Sequence, residues 1–388
     1  MLTRQPLDVV IVGAGVVGAA CAYYASRSGL SVAVVDRGPV AGGTTGAGEG
    51  NLLVSDKMPG PELELALLSS SLWRQLSEEL SSDIEYEIKG GLVVAASEES
   101  LATLSMTAAA QRGAGVEAYH VTSDRLRDAE PHLAPHLAGG VHYPQDAQVQ
   151  PALAAAELLR EAGRSGARLY PGEEVVGILR DRDGAVCGVS TARRELRAPV
   201  VINAAGTWGG ELAAMAEVDL PVLPRRGFVL VTEPLPRLIR HKVYAAEYVS
   251  DVSSGSAALQ TSPVVEGTPS GPVLIGASRE RVGFDRTLSV PAIARLAAQA
   301  AALFPVLADV RVMRAYHGFR PYLPDHLPAI GPDPRVPGLF HACGHEGAGI
   351  GLAPATGLLI ADVIAGRQPV LDLGPFAPDR FDTTCHVT

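Results

Sequence analysis

The first apolar run of the chain, Asp8 to Val12 (DVVIV), shows no alternation that would turn one face to water, as expected of a strand covered on both sides. The next stretch, Val16 to Ser28, is rich in alanine and poor in breakers, and predicts a helix that Gly29 ends. Ser31 to Val35 (SVAVV) predicts a second buried strand, closed by Asp36. Later the pattern changes. Glu173 to Val189 alternates about Asp181, Arg182, Asp183 and Gly184, which predicts a β-hairpin. Gly91 to Ala96, Gly227 to Thr232 and Pro272 to Ile275 are strand-like runs separated by turn residues, and they predict a second sheet. Ala348 to Ala365 has apolar residues at helical spacing behind a glycine-rich entry. It predicts a helix whose free N–H groups and positive dipole end point from the region Gly347 to Gly351 into a site.

The turn between the first strand and first helix adds chemistry to the pattern. Gly13-Ala14-Gly15-Val16-Val17-Gly18 is a GxGxxG motif between strand and helix, with Asp36 ending the following strand. In that setting Gly13 permits the tight turn, Gly15 lets backbone N–H groups approach a pyrophosphate, and Gly18 lets helix and strand pack closely. Asp36 is expected to accept hydrogen bonds from both ribose hydroxyls, and its charge disfavours a 2′-phosphate. Ala41 to Asn51 (AGGTTGAGEGN) is a second glycine-rich loop, placed where the chain leaves the carboxyl edge of the sheet. NAD needs no such loop. FAD does, because its ribityl and isoalloxazine lie beyond the pyrophosphate and require close backbone approach.

Composition narrows the partners. Of 388 residues, 47% are hydrophobic and 19% charged, enough apolar material for a large core in more than one domain. A formal net charge of -10 argues against nucleic acid and anionic lipid, which leaves a small molecule as the expected partner. Cys21, Cys187, Cys343 and Cys385 lie far apart without a CxxC, so no metal site, dithiol pair or disulfide framework is predicted. The start carries no cationic leader, and no stretch reaches the about 18 apolar residues of a membrane helix. The expectation is a cytoplasmic protein with no integral membrane span; self-association is compatible with the pattern.

These segments resemble the glycine oxidase, sarcosine oxidase and D-amino acid oxidase family of FAD-dependent amine oxidoreductases. Val200 to Trp208 (VVINAAGTW) is similar to the family's strand and turn returning to the FAD domain, and Gly331 with residues 344–349 is similar to its closing flavin segment. The resemblance covers nearly the whole chain. It implies an α/β fold with a Rossmann-type FAD-binding domain in three pieces, residues 1–83, 145–220 and 325–388. Inserted in it would be a mostly antiparallel β-sheet substrate domain of α+β type, residues 84–144 and 221–324. It implies FAD contacts from Gly13, Gly15, Gly18, Asp36, Arg37, Thr44, Thr45, Gly50, Asn51, Val175, Ala205, Gly206 and Trp208, and from Gly344, His345, Glu346, Gly347, Ala348, Gly349 and Ile350.

The segment Gly318-Phe319-Arg320-Pro321-Tyr322-Leu323-Pro324-Asp325 resembles the family's Arg-Pro segment, whose arginine holds the substrate carboxylate. Arg320 is therefore the expected clamp, since a guanidinium fork binds a carboxylate through two parallel hydrogen bonds; an ion pair with Asp325 is the plainer alternative. Tyr248 and His317 join it as candidates, with Tyr244, Glu247 and Tyr316 nearby in family terms. Arg225-Arg226 and Arg279-Glu280-Arg281 rank lower, because strand alternation puts Arg279 and Arg281 on one side and Glu280 on the other, as on a solvated sheet face. The cysteine tether of monomeric sarcosine oxidases has no counterpart at His317-Gly318-Phe319, so the FAD is expected to be noncovalent, and Cys343 to be a small buried thiol.

The implied activity is oxidation of a D-amino acid, a glycine-like or a cyclic secondary amino acid, by hydride transfer from Cα to flavin N5. The resulting imine hydrolyses in water, and protein catalysis is mostly positioning. No base is assigned, because desolvation alone lowers the amine pKa. Electrons then pass to O2 or, in a dehydrogenase subunit, to a quinone or iron–sulfur partner. The alternative of another class is a non-catalytic nucleotide-binding regulatory protein.

Overall fold

The computed structural model describes residues 6–248 and 255–382; Cys385 and the start of the chain, residues 1–5, lie outside them. A six-stranded sheet runs in the order Ala329–Pro332, Leu339–Cys343, Val200–Asn203, Val9–Val12, Val32–Asp36 and Arg168–Pro171. Its neighbours are parallel except the edge strand Ala329–Pro332, which pairs antiparallel. Val9–Val12 is central and covered on both faces, which is why it reads as unbroken apolar sequence. The helix Val16–Arg27 packs against Pro151–Arg164 and Gly349–Ile364 on one side of this sheet. Gly357 makes the closest crossing, since a Cβ there would stand 2.6 Å from the backbone of Ala20.

An eight-stranded sheet draws its strands from residues 91–143 and 223–322. It is antiparallel except where Lys242–Ala245 pairs parallel with Gly91–Ala95. The helix Val290–Leu303 covers one face, burying Leu296, Ala300 and Leu303 with Phe228, Leu230 and Ile275. The opposite face turns toward the first sheet. The predicted hairpin forms as Val175–Arg180 and Val186–Thr191, joined by a turn in which Gly184 has φ 85°.

The expected run Gly227 to Thr232 is the inner part of a longer strand, Leu223–Thr232. Its first half carries Arg225 and Arg226, two charged residues in succession that rank below Arg320 as clamp candidates. Both arginines are nevertheless buried in the strand, because Glu346 pairs with Arg225, and Glu280 and Asp285 pair with Arg226. Among the described residues no helix is long and apolar enough to cross a membrane.

Candidate functional site

A cavity of about 380 Å³ opens at the carboxyl ends of the six-stranded sheet and continues between the two sheets. At its floor the three glycines of the first turn have separate jobs. Gly13 takes φ 118°, and a Cβ there would lie 2.2 Å from the carbonyl oxygen of Ala204. A Cβ on Gly18 would lie 2.0 Å from the Gly13 carbonyl, so Gly18 sits in the wall, behind the cavity. Gly15 lines the cavity at the start of the helix, its nearest neighbour the Thr45 hydroxyl, which accepts from Val16 N–H at 3.0 Å.

Asp36 lines the cavity but is partly committed to the protein. Its two carboxylate oxygens accept the N–H groups of Ala14 and Gly38, each at 2.7 Å. Each oxygen keeps one lone pair for a further donor. Beside it, the Arg37 guanidinium lies 4.2 Å over the Trp208 ring, and Val175, Ala205 and Gly206 complete this end.

The second glycine-rich loop forms a short turn at Thr45–Ala47 and a strand at Asn51–Leu52. Thr44 and Thr207 both donate to the Phe319 carbonyl, at 2.6 and 2.7 Å, tying this loop to the far sheet. Asn51 donates to one oxygen of Glu49 at 3.2 Å. The other Glu49 oxygen and the Asn51 carbonyl oxygen are buried without a partner, and both residues line the cavity. Burial pushes the Glu49 carboxyl up, against the opposing pull of Lys242. Gly50 lies in the wall, where a Cβ would stand 1.8 Å from the carbonyl oxygen of Val149.

In the closing segment His345, Glu346, Gly347, Gly349 and Ile350 line the cavity. Gly344 lies behind them, where a Cβ would strike Leu323 at 2.1 Å. Ala348 faces a second, adjoining cavity of about 260 Å³. Burial drives His345 down to about 3, so the imidazole is neutral. Its Nε2 meets the Thr356 hydroxyl at 3.0 Å, and that hydroxyl donates to the Leu352 carbonyl, so the ring carries its proton on Nε2. Burial also pushes the Cys343 thiol up to about 12, which keeps it unreactive.

Arg320, Tyr248, His345, Glu346 and Gly347 line both cavities and mark their junction. Arg320 donates to the Ser278 carbonyl at 2.8 Å; the expected alternative partner, Asp325, pairs instead with Arg380 at 2.6 Å. Space for the Arg320 side chain comes from Gly227, where a Cβ would sit 2.0 Å from its guanidinium. Glu346 is squeezed upward by burial, but His326 and Arg225 more than offset this and hold it ionised.

His317 is not brought to the site. It pairs in register with Phe228, meets the Phe319 ring edge to face, and lines neither cavity, because strand alternation turns it away from the face that carries Gly318 and Arg320. Tyr244 is fully buried behind the cavities, its hydroxyl on Ser55, and the Tyr316 hydroxyl donates to the Gly48 carbonyl at 3.2 Å.

Arg279, expected on a solvated face, is 4% exposed and lines the second cavity; Glu280 opposite it is consumed by Arg226. The reason is that both faces of this strand are covered. Sequence reasoning also missed Glu49, Gly227 and the stretch 56–62, which walls the second cavity. Only Gly227 carried a signal, a glycine inside a strand.

A family model described as FAD dependent oxidoreductase, DAO, matches residues 8–363. The chain is 33% identical over 383 residues to a glycine oxidase of Geobacillus kaustophilus, covering 96% of this chain and 97% of that protein. It is 32% identical to hydrogen cyanide synthase subunit HcnC of Pseudomonas aeruginosa, over 97% of each. The crystal structure of the Geobacillus kaustophilus glycine oxidase matches the fold with a TM-score of 0.88 at 31% identity, over 97% of this chain and 99% of that one.

Proposed function

The chain belongs to the FAD dependent oxidoreductase (DAO) family, and from that premise we propose that it oxidises an amino acid at the carbon bearing nitrogen. The observation that carries this reading is Arg320. It is a guanidinium inside the protein at the junction of the two cavities, bonded only to a carbonyl among the described residues. A cation so placed suits the substrate carboxylate.

The larger cavity suits FAD on its own terms. Glu49 and Asn51 present unpartnered acceptors to a cofactor rich in N–H and O–H donors, Asp36 retains lone pairs for a ribose, and the starts of two helices face the cavity. In this reading Gly13, Gly15, Asp36, Arg37, Thr44, Thr45, Asn51, Val175, Ala205, Gly206, Trp208, His345, Glu346, Gly347, Gly349 and Ile350 hold the cofactor, and Ala348 faces the second cavity instead. Gly18, Gly50 and Gly344 shape the wall. The five-segment domain division of the sequence belongs to the same proposal, supported by the segments from which each sheet draws its strands. Attachment is noncovalent, supported by the suppressed Cys343 thiol.

Bound FAD supplies the two-electron acceptor. The chain's own residues bind and orient: Arg320 anchors the carboxylate, the Tyr248 ring walls the cavity, and neutral His345 adds no charge. Enclosure favours the neutral form of the substrate amine. A second reading keeps this site and replaces O2 by an electron-accepting partner, supported by the likeness to HcnC. A cytoplasmic location fits Cys21, Cys187 and Cys343, which are free thiols.

The test is an anaerobic panel of glycine, sarcosine, D- and L-amino acids and cyclic imino acids, read as loss of flavin absorbance. Bleaching by at least one class supports the reading, and a flavin untouched by all of them overturns it. Admitting air afterwards separates the acceptors: rapid reoxidation supports the oxidase, and slow reoxidation supports the partner-linked dehydrogenase.

A further inference from the structure

Two guanidinium groups of the second cavity, those of Arg279 and Arg320, have no carboxylate bonded to them among the described residues. Each acid that lines it is engaged: Asp56 and Glu62 with Lys57 at 2.7 and 3.8 Å, Asp325 with Arg380, and Glu346 with Arg225 and His326. Arg279 and Arg320 line the same cavity, and among the described residues neither guanidinium forms an ion pair. They share one wall, since Arg320 bonds to the carbonyl of Ser278, the residue preceding Arg279. The Arg279 guanidinium lies 5.0 Å over the Tyr248 ring.

Two enclosed like charges destabilise each other, and the pull of Glu49 and Glu346 on Arg320 offsets this only in part, so an added anion is favoured. Burial, followed by the Arg279 charge, holds the Arg320 guanidinium below its usual range. One carboxylate balances one of the two charges. The cations also differ in position, because Arg320 opens on both cavities whereas Arg279 opens on the second alone. An anion at Arg279 therefore lies farther from the larger cavity than one at Arg320.

We propose that Arg279 is a second anion-binding residue, and that the substrate is an amino acid with two carboxylates, one held by Arg320 and the other by Arg279. This rests on the amino acid reading above, and names its substrate class. A small dicarboxylate suits a cavity of about 260 Å³.

The test uses FAD-loaded protein in two arms. In the first, succinate and malonate are compared with propionate and acetate by their perturbation of the flavin spectrum. The dicarboxylates are expected to bind at least about tenfold more tightly. In the second arm, kcat/KM is measured for D- and L-aspartate, D- and L-glutamate and iminodiacetate against glycine, sarcosine and alanine. The dicarboxylates are expected to be preferred, and Arg279→Gln to cut the dicarboxylate-to-monocarboxylate ratio by at least about tenfold.

Equal binding in the first arm overturns the proposal, as does an Arg279→Gln loss of the same size on both classes. In either case reduction by glycine or alanine leaves the amino acid reading standing. If no amino acid reduces the flavin, that reading fails, and the first arm repeated on Arg279→Gln still decides whether Arg279 binds an anion. On the parent protein the first arm needs no variant, so equal binding there overturns the proposal even where Arg279→Gln fails to fold.

Discussion

At residue scale the site turns on a few side chains whose surroundings set their charge. If Arg320 holds the substrate carboxylate, Arg320→Ala is predicted to lose roughly 3–5 kcal/mol of binding and positioning, about a hundredfold to several-thousandfold in kcat/KM. Arg320→Lys is expected to recover only part, since a point charge lacks the bidentate geometry. Steady-state kinetics with unchanged FAD content checks this; a loss within about twofold would place the clamp elsewhere. Asp146 gives a pH prediction. Its carboxyl is fully buried, and burial raises its pKa from 3.8 to about 7, against hydrogen bonds from Ser55 and the Val54 N–H. A raised folded-state pKa means this contribution to stability is complete below 3.8 and is lost as pH rises through about 7. Urea unfolding at a series of pH values should show that decline in the parent, and a flatter profile in Asp146→Asn.

At element scale the strand, turn and helix at the start of the chain separate folding from loading. Gly18→Ala would push a methyl into the Gly13 carbonyl and is predicted to cost stability, whereas Gly15→Val faces the cavity and is predicted to block FAD loading while the fold persists. Circular dichroism together with flavin absorbance distinguishes the two losses. The crossing of Val16–Arg27 and Gly349–Ile364 is equally tight. Gly357→Ala is expected to destabilise by about 1–3 kcal/mol, read as a lower Tm, because the obstructing atoms are the backbone of Ala20 and Cys21. These elements were legible in sequence because their patterns are local: the first helix was expected over Val16 to Ser28 and forms over Val16–Arg27, and the last over Ala348 to Ala365 and forms over Gly349–Ile364. The strand carrying Arg225 and Arg226 was only half legible. Its charged half is compatible with a strand only because Glu346 and Glu280, distant in sequence, neutralise it.

At the scale of the whole molecule the cofactor is expected to join the two sheets, since the larger cavity is walled by both. Acid or heat should release the flavin into the supernatant, as noncovalent binding requires. Adding FAD to apoprotein should raise Tm, by the equivalent of about 2.7 kcal/mol at a hundredfold excess over Kd. Differential scanning fluorimetry checks the second expectation, and flavin that remains with the precipitate would refute the first. NADH alone is predicted to leave the flavin oxidised, because the chain has one GxGxxG fingerprint and FAD takes it.

The floor of the larger cavity was determined by the sequence itself, because a strand, a glycine turn, a helix and an acid in succession specify their mutual geometry within a few tens of residues. Arg320 was legible through its segment, but its freedom from Asp325 was not, since the competing Arg380 lies far along the chain. The second cavity was decided by tertiary structure. Its walls come from residues 56–62, Tyr248, Arg279, Arg320, His326 and residues 345–348, which no local spacing relates. Alternation along a strand says that Arg279 and Glu280 face opposite ways, and that His317 and Arg320 do too. It does not say which face another layer will cover, and that layer decides whether a charge meets water, a partner or a substrate.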